Sequence, residues 1–303
     1  MYALAFLLKI IQNMQSGGGR SVKRFRKIGV MVVAVLLVAF LISLILSQKY
    51  IFVRHYVYRN TKVETPLRAV HLTDLHNYQY GKENQRLVEK MRKQDPDVIF
   101  MTGDMLNEDE DRMDIVIDLI RDSREIAPIY FSLGNHEIGY DKIYTEKDLT
   151  EELEDAGAVV LEKEYIDTEI AGQSVRIGGA YGYLLAREWA DGSEQRFLEE
   201  FVQTDRLKIL LSHLPEGLLL WESMEHWDVD LVFSGHVHGG QVRLPLLGGL
   251  FDPEEGFFPT YTRGMFACGN GTMILSGGLG SSRGIPRVNN LPELVVCDIE
   301  PAK

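Results

Sequence analysis

Hydrophobic positions fall into two regimes along the chain. From Ile28 to Ser47 the sequence IGVMVVAVLLVAFLISLILS runs for twenty residues without a charge. At about 1.5 Å of helical rise per residue such a run matches the hydrocarbon core of a bilayer. It is longer than a signal-peptide h-region and no A-x-A site follows it, so an uncleaved transmembrane helix is predicted over residues 28–48. From Pro66 onward the pattern changes to short β-rich runs and longer amphipathic ones. Leu67–Thr73, Val98–Thr102 and Ile129–Leu133 read as strands, separated by helical stretches at Glu83–Lys93 and Arg112–Glu125. Ala158–Leu161, Val175–Ala180, Leu207–Ser212, Val229–Phe233, Thr272–Ser276 and Leu294–Asp298 read as further strands with fewer helices between them. That balance predicts an α/β fold with a mixed sheet or two packed sheets. The organisation expected is a basic N-terminal segment (1–27), a membrane helix (28–48), a linker (49–65) with Tyr50, Tyr56 and Tyr58 suited to a membrane interface, and one domain (66–303).

Charge refines this picture. The formal net charge is −12, yet the first fifty residues hold seven basic side chains and no acid, which leaves about −19 on the rest. The basic cluster Arg20–Lys27 favours a cytoplasmic N-terminus and an extracytoplasmic domain in a single-pass cell-membrane protein, although Lys49, Arg54, Arg59 and Lys62 weaken the asymmetry. So acidic a domain is a poor partner for nucleic acid, which is held by displacing counterions with basic groups. A small anionic substrate stays open wherever a metal dominates the local field. No protein partner is predicted. The two cysteines, Cys268 and Cys297, exclude a disulfide scaffold and a cysteine-rich zinc site; two buried thiols are the simpler expectation, with a bridge left open. Met1–Ile11 is apolar but too short to span a bilayer, and a flexible Gly-rich stretch follows, so Met14 is an alternative start.

Chemistry-capable residues collect at strand ends: Thr73-Asp-Leu-His76, Thr102-Gly-Asp104, Leu133-Gly-Asn-His-Glu137, Leu211-Ser-His-Leu-Pro215 and Phe233-Ser-Gly-His-Val-His-Gly-Gly-Gln241. Each alone has a plain explanation. Asp74 or Asp104 could cap a helix, Asn135 could serve a turn, and His213 could be a satisfied core residue. Five in one structural position, at the C-terminal ends of strands where α/β sheets build their sites, point to a shared centre. Carboxylate, imidazole and amide oxygen suit Mn, Fe or Zn, and one carboxylate such as Asp104 can bridge two cations about 3.5–4 Å apart.

The ordered set D-x-H, G-D, G-N-H-E, a lone H and G-H-x-H resembles the calcineurin-like metallophosphoesterase family from about Arg68 to Pro292. G-H-V-H-G-G-Q behind a membrane anchor is similar to its bacterial YkuE/YaeI-type phosphodiesterase branch. The resemblance implies a four-layer α/β/β/α sandwich of two mixed sheets and a phosphodiesterase with two divalent metal ions, using a metal-bridged hydroxide. It implies one metal ion at Asp74, His76, Asp104 and His238, and a second at Asp104, Asn135, His213 and His236. It also gives His136 as the catalytic group that contacts phosphate and assists departure of the leaving group. Glu137 either orients His136 or is solvated. Gly239, Gly240, Gln241 and Arg243 are the expected substrate contacts, with Arg263, Arg283 and Arg287 further candidates. His71 reads as core, and His55 and His226 receive no role. The anchor and the apolar Leu246–Phe258 loop suggest a lipid-linked or envelope phosphodiester, against a loop that merely packs on itself. The alternatives are a non-catalytic, metal-stabilised sensor domain and a phosphomonoesterase or nuclease of the same fold.

Overall fold

The computed structural model describes residues 20–182, 192–219, 227–252, 256–281 and 286–302. Met1, Met14, His226 and Arg283 lie outside them. The chain divides into two compact units between Leu46 and Ser47. The first consists of most of helix α1 (Arg20–Lys49), which starts eight residues before the uncharged run because its basic N-terminal residues are themselves good helix formers. Within it, Lys23–Lys49 is long and apolar enough to cross a membrane.

The second unit begins with β1 (Phe52–Asn60), followed by β2 (Leu67–Leu72), α2 (Gln85–Arg92), β3 (Val98–Thr102), α3 (Asp114–Ser123), β4 (Ile129–Ser132), α4 (Asn135–Ile143), α5 (Leu149–Ala156) and β5 (Ala158–Val160). Strands β6 (Glu164–Ile170) and β7 (Gln173–Ala180) precede α6 (Ser193–Phe201), β8 (Leu207–Ser212) and β9 (Leu231–Ser234). Two short hairpins follow, β10–β11 (Arg243–Leu244, Gly248–Gly249) and β12–β13 (Phe251–Asp252, Gly256–Phe257). The last strands are β14 (Gly264–Cys268), β15 (Gly271–Leu275) and β16 (Glu293–Pro301).

These strands form two six-stranded mixed sheets, ordered β1-β16-β2-β3-β4-β5 and β14-β15-β9-β8-β7-β6. Alternating inward side chains of both, among them Phe100, Val295, Ile177, Ile209 and Phe233, meet in one buried layer. Leu87, Met91, Val116, Ile120 and Leu153 of α2, α3 and α5 cover the outer face of the first sheet. Phe197, Leu198 and Phe201 of α6 cover that of the second. The result is the four-layer α/β/β/α sandwich, in which the inner strands are buried on both faces and read as continuous apolar runs.

The stretch expected as a linker corrects the sequence reading. β1 pairs in parallel along its whole length with β16, the last strand, from Phe52 opposite Glu293 to Asn60 opposite Pro301. As a sheet edge it buries only Tyr58 fully, so Arg54, His55 and Arg59 break the apolar pattern that marked the inner strands. The cysteines lie on strands of different sheets, β14 and β16, and both are buried and free.

Candidate metal centre

The five motifs converge where the two sheets present adjacent strand ends. Asp74 and His76 follow β2, Asp104 follows β3, Asn135 and His136 open α4, His213 follows β8, and His236 and His238 follow β9. Donor atoms of Asp74, His76 and His238 lie within 4.8 Å of one another, as do those of Asp104, His213 and His236. Asp104 stands between the two groups: its Oδ2 is 3.2 Å from His213 Nε2 and 3.7 Å from His76 Nε2. The same oxygen is 3.9 Å from His136 Nε2, while Asp74 Oδ1 is 3.6 Å from His238 Nε2.

Backbone geometry fixes this arrangement. His236 N–H donates to Asp74 Oδ1 at 3.0 Å, tying the second sheet's loop to the first sheet's carboxylate. His136 N–H donates to Asp104 Oδ1 at 2.9 Å, leaving Oδ2 to face the imidazoles. The approach is so close that a Cβ on Gly235 would stand 2.1 Å from Thr73 Oγ1, and one on Gly103 would stand 2.2 Å from Gly134 N. Asp74, His76, Asp104, His236 and His238 all have positive φ, between 49° and 72°. Left-handed backbone at non-glycine residues costs on the order of 1–3 kcal/mol each, and it persists where surrounding structure over-determines it, as at functional sites.

Hydrogen-bond partners assign the ring nitrogens. His213 Nδ1 is 2.6 Å from the Thr102 carbonyl and His76 Nδ1 is 3.0 Å from Asn107 Oδ1. A carbonyl only accepts, so each Nδ1 carries a hydrogen, and in the neutral ring Nε2 presents the lone pair. His136 is the reverse: its Nδ1 accepts the Glu108 N–H at 3.1 Å, which places the neutral ring's hydrogen on Nε2. Asn135 Oδ1 is buried with no hydrogen-bond partner, and an amide oxygen only accepts, so a cation or a donor is what would satisfy it. The donor set of oxygen and nitrogen therefore fits divalent metal ions.

Charge tells the same story. Burial holds His76 down at about 4 and His236 at about 3, and it depresses His238 further, so all three rings are neutral at pH 7. Burial also opposes charge on His213, but the Asp104 and Asp74 carboxylates and the Thr102 carbonyl outweigh it and lift the ring to about 10. Burial lifts Asp74 to about 7 despite His213, whereas Asp104, against its own burial, is held well below the usual range by His213. At neutral pH a proton on His213 thus balances the carboxylates, and a cation must displace it. Loading of metal-free protein with Mn²⁺ at pH 7.5 is expected to release about one proton or more, with affinity rising about tenfold per pH unit for each proton displaced. Calorimetry in buffers of different ionisation enthalpy measures this; uptake with no proton released contradicts the assignment.

Glu137 corrects the sequence reading, which had it orienting His136 or solvated. It is 1% exposed, and its carboxylate accepts the N–H groups of Asp104 (2.7 Å), Met105 (2.8 Å), Leu106 (3.4 Å) and Gly134 (2.8 Å). It holds the loop that carries Asp104. Arg287, a candidate for phosphate, is also buried and donates to the carbonyls of Gly280 (2.5 Å) and Gly277 (2.7 Å) and to His238 Nδ1 (3.3 Å). Its guanidinium braces the loop beside Asp74 and the His238 ring. Arg243 Nη1 donates to Gly239 O at 2.7 Å and Thr262 Oγ1 at 3.0 Å, stiffening the turn of Gly239, Gly240 and Gln241. Asn290 Nδ2 ties the same turn through His238 O (2.7 Å) and Gln241 O (3.2 Å). Arg263 lies against Asn290 Oδ1 and Glu293. His71 is core, its Nε2 within 2.7 Å of Thr102 Oγ1 and its charged form suppressed by burial to about 3. Sequence reasoning missed the supporting residues Asn107 and Asn290; only Asn107, three residues after Asp104, stood close enough to a motif to be suspected.

Comparison with known proteins agrees with the geometry. The sequence profile of the calcineurin-like phosphoesterase family matches residues 67–240. An uncharacterized metallophosphoesterase of Campylobacter jejuni is 30% identical over 259 residues, covering 81% of this chain and 63% of its own length. The chain thus spans under two thirds of that relative. The uncharacterized metallophosphoesterase YkuE of Bacillus subtilis is 28% identical over 76% of this chain and 77% of its own. The phosphodiesterase YaeI of Escherichia coli is 29% identical over 68% of this chain and 72% of its own.

Proposed function

The chain belongs to the calcineurin-like phosphoesterase family, so its domain is a metal-dependent hydrolase of phosphoric esters, and from that premise we propose a dinuclear phosphodiesterase. The observation that carries the proposal is Asp104, whose buried carboxylate lies between the two donor groups. One cation would be held by Asp74, His76, Asp104 and His238, and the other by Asp104, Asn135, His213 and His236. Bound there, two ions would supply Lewis acidity to the phosphoryl oxygens and lower the pKa of an attacking water.

The remaining work belongs to the chain's own groups. His136 Nε2 carries a hydrogen because Nδ1 is occupied by the Glu108 N–H, and it faces the Asp104 side of the centre. It would donate to the departing oxygen, a role that requires no tautomer change before the reaction. Thr102 and Asn107 keep the ring nitrogens of His213 and His76 in the ligating form. Gly239, Gly240 and Gln241, braced by Arg243, form one wall for the substrate. The resemblance to a phosphodiesterase favours a diester, and the intact His136 argues against a purely structural metal site. The full-length protein with Mn²⁺ is expected to hydrolyse bis(p-nitrophenyl) phosphate at least about tenfold faster than p-nitrophenyl phosphate, an effect equal to one catalytic interaction of roughly 1.4 kcal/mol. Preference for the monoester would overturn the diester assignment and leave the family standing.

Helix α1 supports a second element of the proposal: a single-pass tether with a cytoplasmic N-terminus, an extracytoplasmic domain, and a lipid-linked or envelope substrate. The length and apolarity of Lys23–Lys49 motivate it.

A further inference from the structure

We propose that the described residues of the two short hairpins after the last metal-ligating motif form a membrane-docking surface, whose exposed apolar side chains meet the acyl chains beneath the lipid headgroups. The proposal rests on the tether reading and adds a second contact with the same bilayer. On β10–β11 and β12–β13 and their flanks, Leu246 is 105% exposed, Leu247 65%, Phe257 72%, Phe258 54% and Phe251 46%. Five large apolar side chains standing out from about sixteen residues form a patch of the kind that marks interaction sites. Phe251 and Phe257, cross-strand partners, pack edge to face with ring centroids 5.3 Å apart, yet both rings stay exposed. Leu246 and Phe258 hold positive φ, 69° and 60°, a strained conformation for side chains of this size.

The occupant follows from where the chain enters the domain. Ser47, the last residue of the uncharged run, lies with its Oγ 3.4 Å from Asn290 N. Asn290 donates to His238 O and Gln241 O, and its neighbour Asn289 donates to Arg243 O, at the base of β10. Tyr78, two residues after His76, donates to Gln48 O, and Arg86 donates to Lys49 O at 2.9 Å. The hairpin base, the entry of the chain and the His76–His238 side of the centre are therefore joined by single hydrogen bonds. An apolar run that ends at Ser47 brings the bilayer surface to this face. Lys49, Arg86 and Lys90, the last with its Nζ 5.4 Å from the Tyr50 ring centroid, gather basic charge where the chain enters a domain of opposite net sign. Basic groups at the chain entry together with exposed apolar side chains on the hairpins suit anionic headgroups above acyl chains, whereas a protein partner would not need both at the end of a membrane span. A centre held at this surface would meet phosphodiesters that stay in the membrane.

The test uses the full-length chain in nanodiscs of phosphatidylethanolamine and phosphatidylglycerol. Cys268 and Cys297 are both buried, so a nitroxide attaches selectively to Leu247→Cys or to Glu151→Cys, a control on exposed α5. The Leu247 label is expected to collide with oxygen, relative to a water-soluble nickel chelate, at least threefold more than the Glu151 label. Equal ratios at the two positions overturn the docking surface. Alkaline extraction of the same chain from vesicles reads the tether separately: release overturns the span on which the proposal rests, whereas a retained chain with equal ratios keeps the span and removes only the docking.

Discussion

Asp104→Asn is expected to lower turnover of bis(p-nitrophenyl) phosphate by about a thousandfold or more and to reduce bound metal from two ions per chain to one or none. The substitution keeps the shape of the side chain and its bond from His136 N–H, yet it removes the one negative charge that faces both donor groups. Loss of a single preorganised electrostatic partner costs about 10²–10³ in rate, and in the proposed dinuclear centre the same change would also remove a ligand from each ion. The neighbouring rings would respond as well. With Asp104 neutral, His213 loses the largest influence that holds its proton, so the ring should fall from about 10 towards the depressed values of His76 and His236. Metal analysis and steady-state kinetics on one preparation measure the effect. An Asp104→Asn protein with two ions and wild-type turnover would contradict the bridging role.

Glu137→Ala is expected to destabilise the domain by about 3–5 kcal/mol, because buried backbone N–H groups left without an acceptor cost roughly 1–3 kcal/mol each. Glu137 serves Asp104, Met105, Leu106 and Gly134 at once, so the residue before α4 and the loop carrying the bridging carboxylate lose their common acceptor. A loss of that size is a large share of the roughly 5–15 kcal/mol typical of a domain. Glu137→Gln keeps one acceptor oxygen but turns an amide N–H toward backbone N–H groups, so it should fall between Ala and wild type. Urea denaturation of the metal-free proteins checks the order. A change below about 1 kcal/mol for Glu137→Ala would show that the loop holds its shape without the carboxylate, and the account of Glu137 would be wrong.

The sequence carried the inner strands, the helix before the domain and the five motifs, since strands buried on both faces leave apolar runs and the chemistry sits at their ends. β3 and β8 begin and end where the apolar pattern does, at Val98–Thr102 and Leu207–Ser212. Edge strands were harder. β1 and β6 show water one or both faces, so residues such as Arg54, Arg59, Glu164 and Asp167 hide the strand, and pairing with β16 or β7 decides it instead. The candidate site divides the same way. Ligand-type residues are recognisable by kind and spacing, whereas Glu137, Asn107, Arg287 and Asn290 act through backbone groups distant in sequence, and nothing local in the chain announces such contacts. Glu137 shows the difference: its position beside His136 suggested a side-chain partner, but the first turn of α4 points its carboxylate back at the Asp104 loop.

Turnover against bound metal tests the central claim most directly. Full-length protein stripped with chelator and titrated with Mn²⁺ should hydrolyse bis(p-nitrophenyl) phosphate only as the bound ions approach two per chain, with activity lost again on chelation. Full turnover in metal-free protein, or a maximum reached at one ion per chain, would contradict the dinuclear centre built around Asp104.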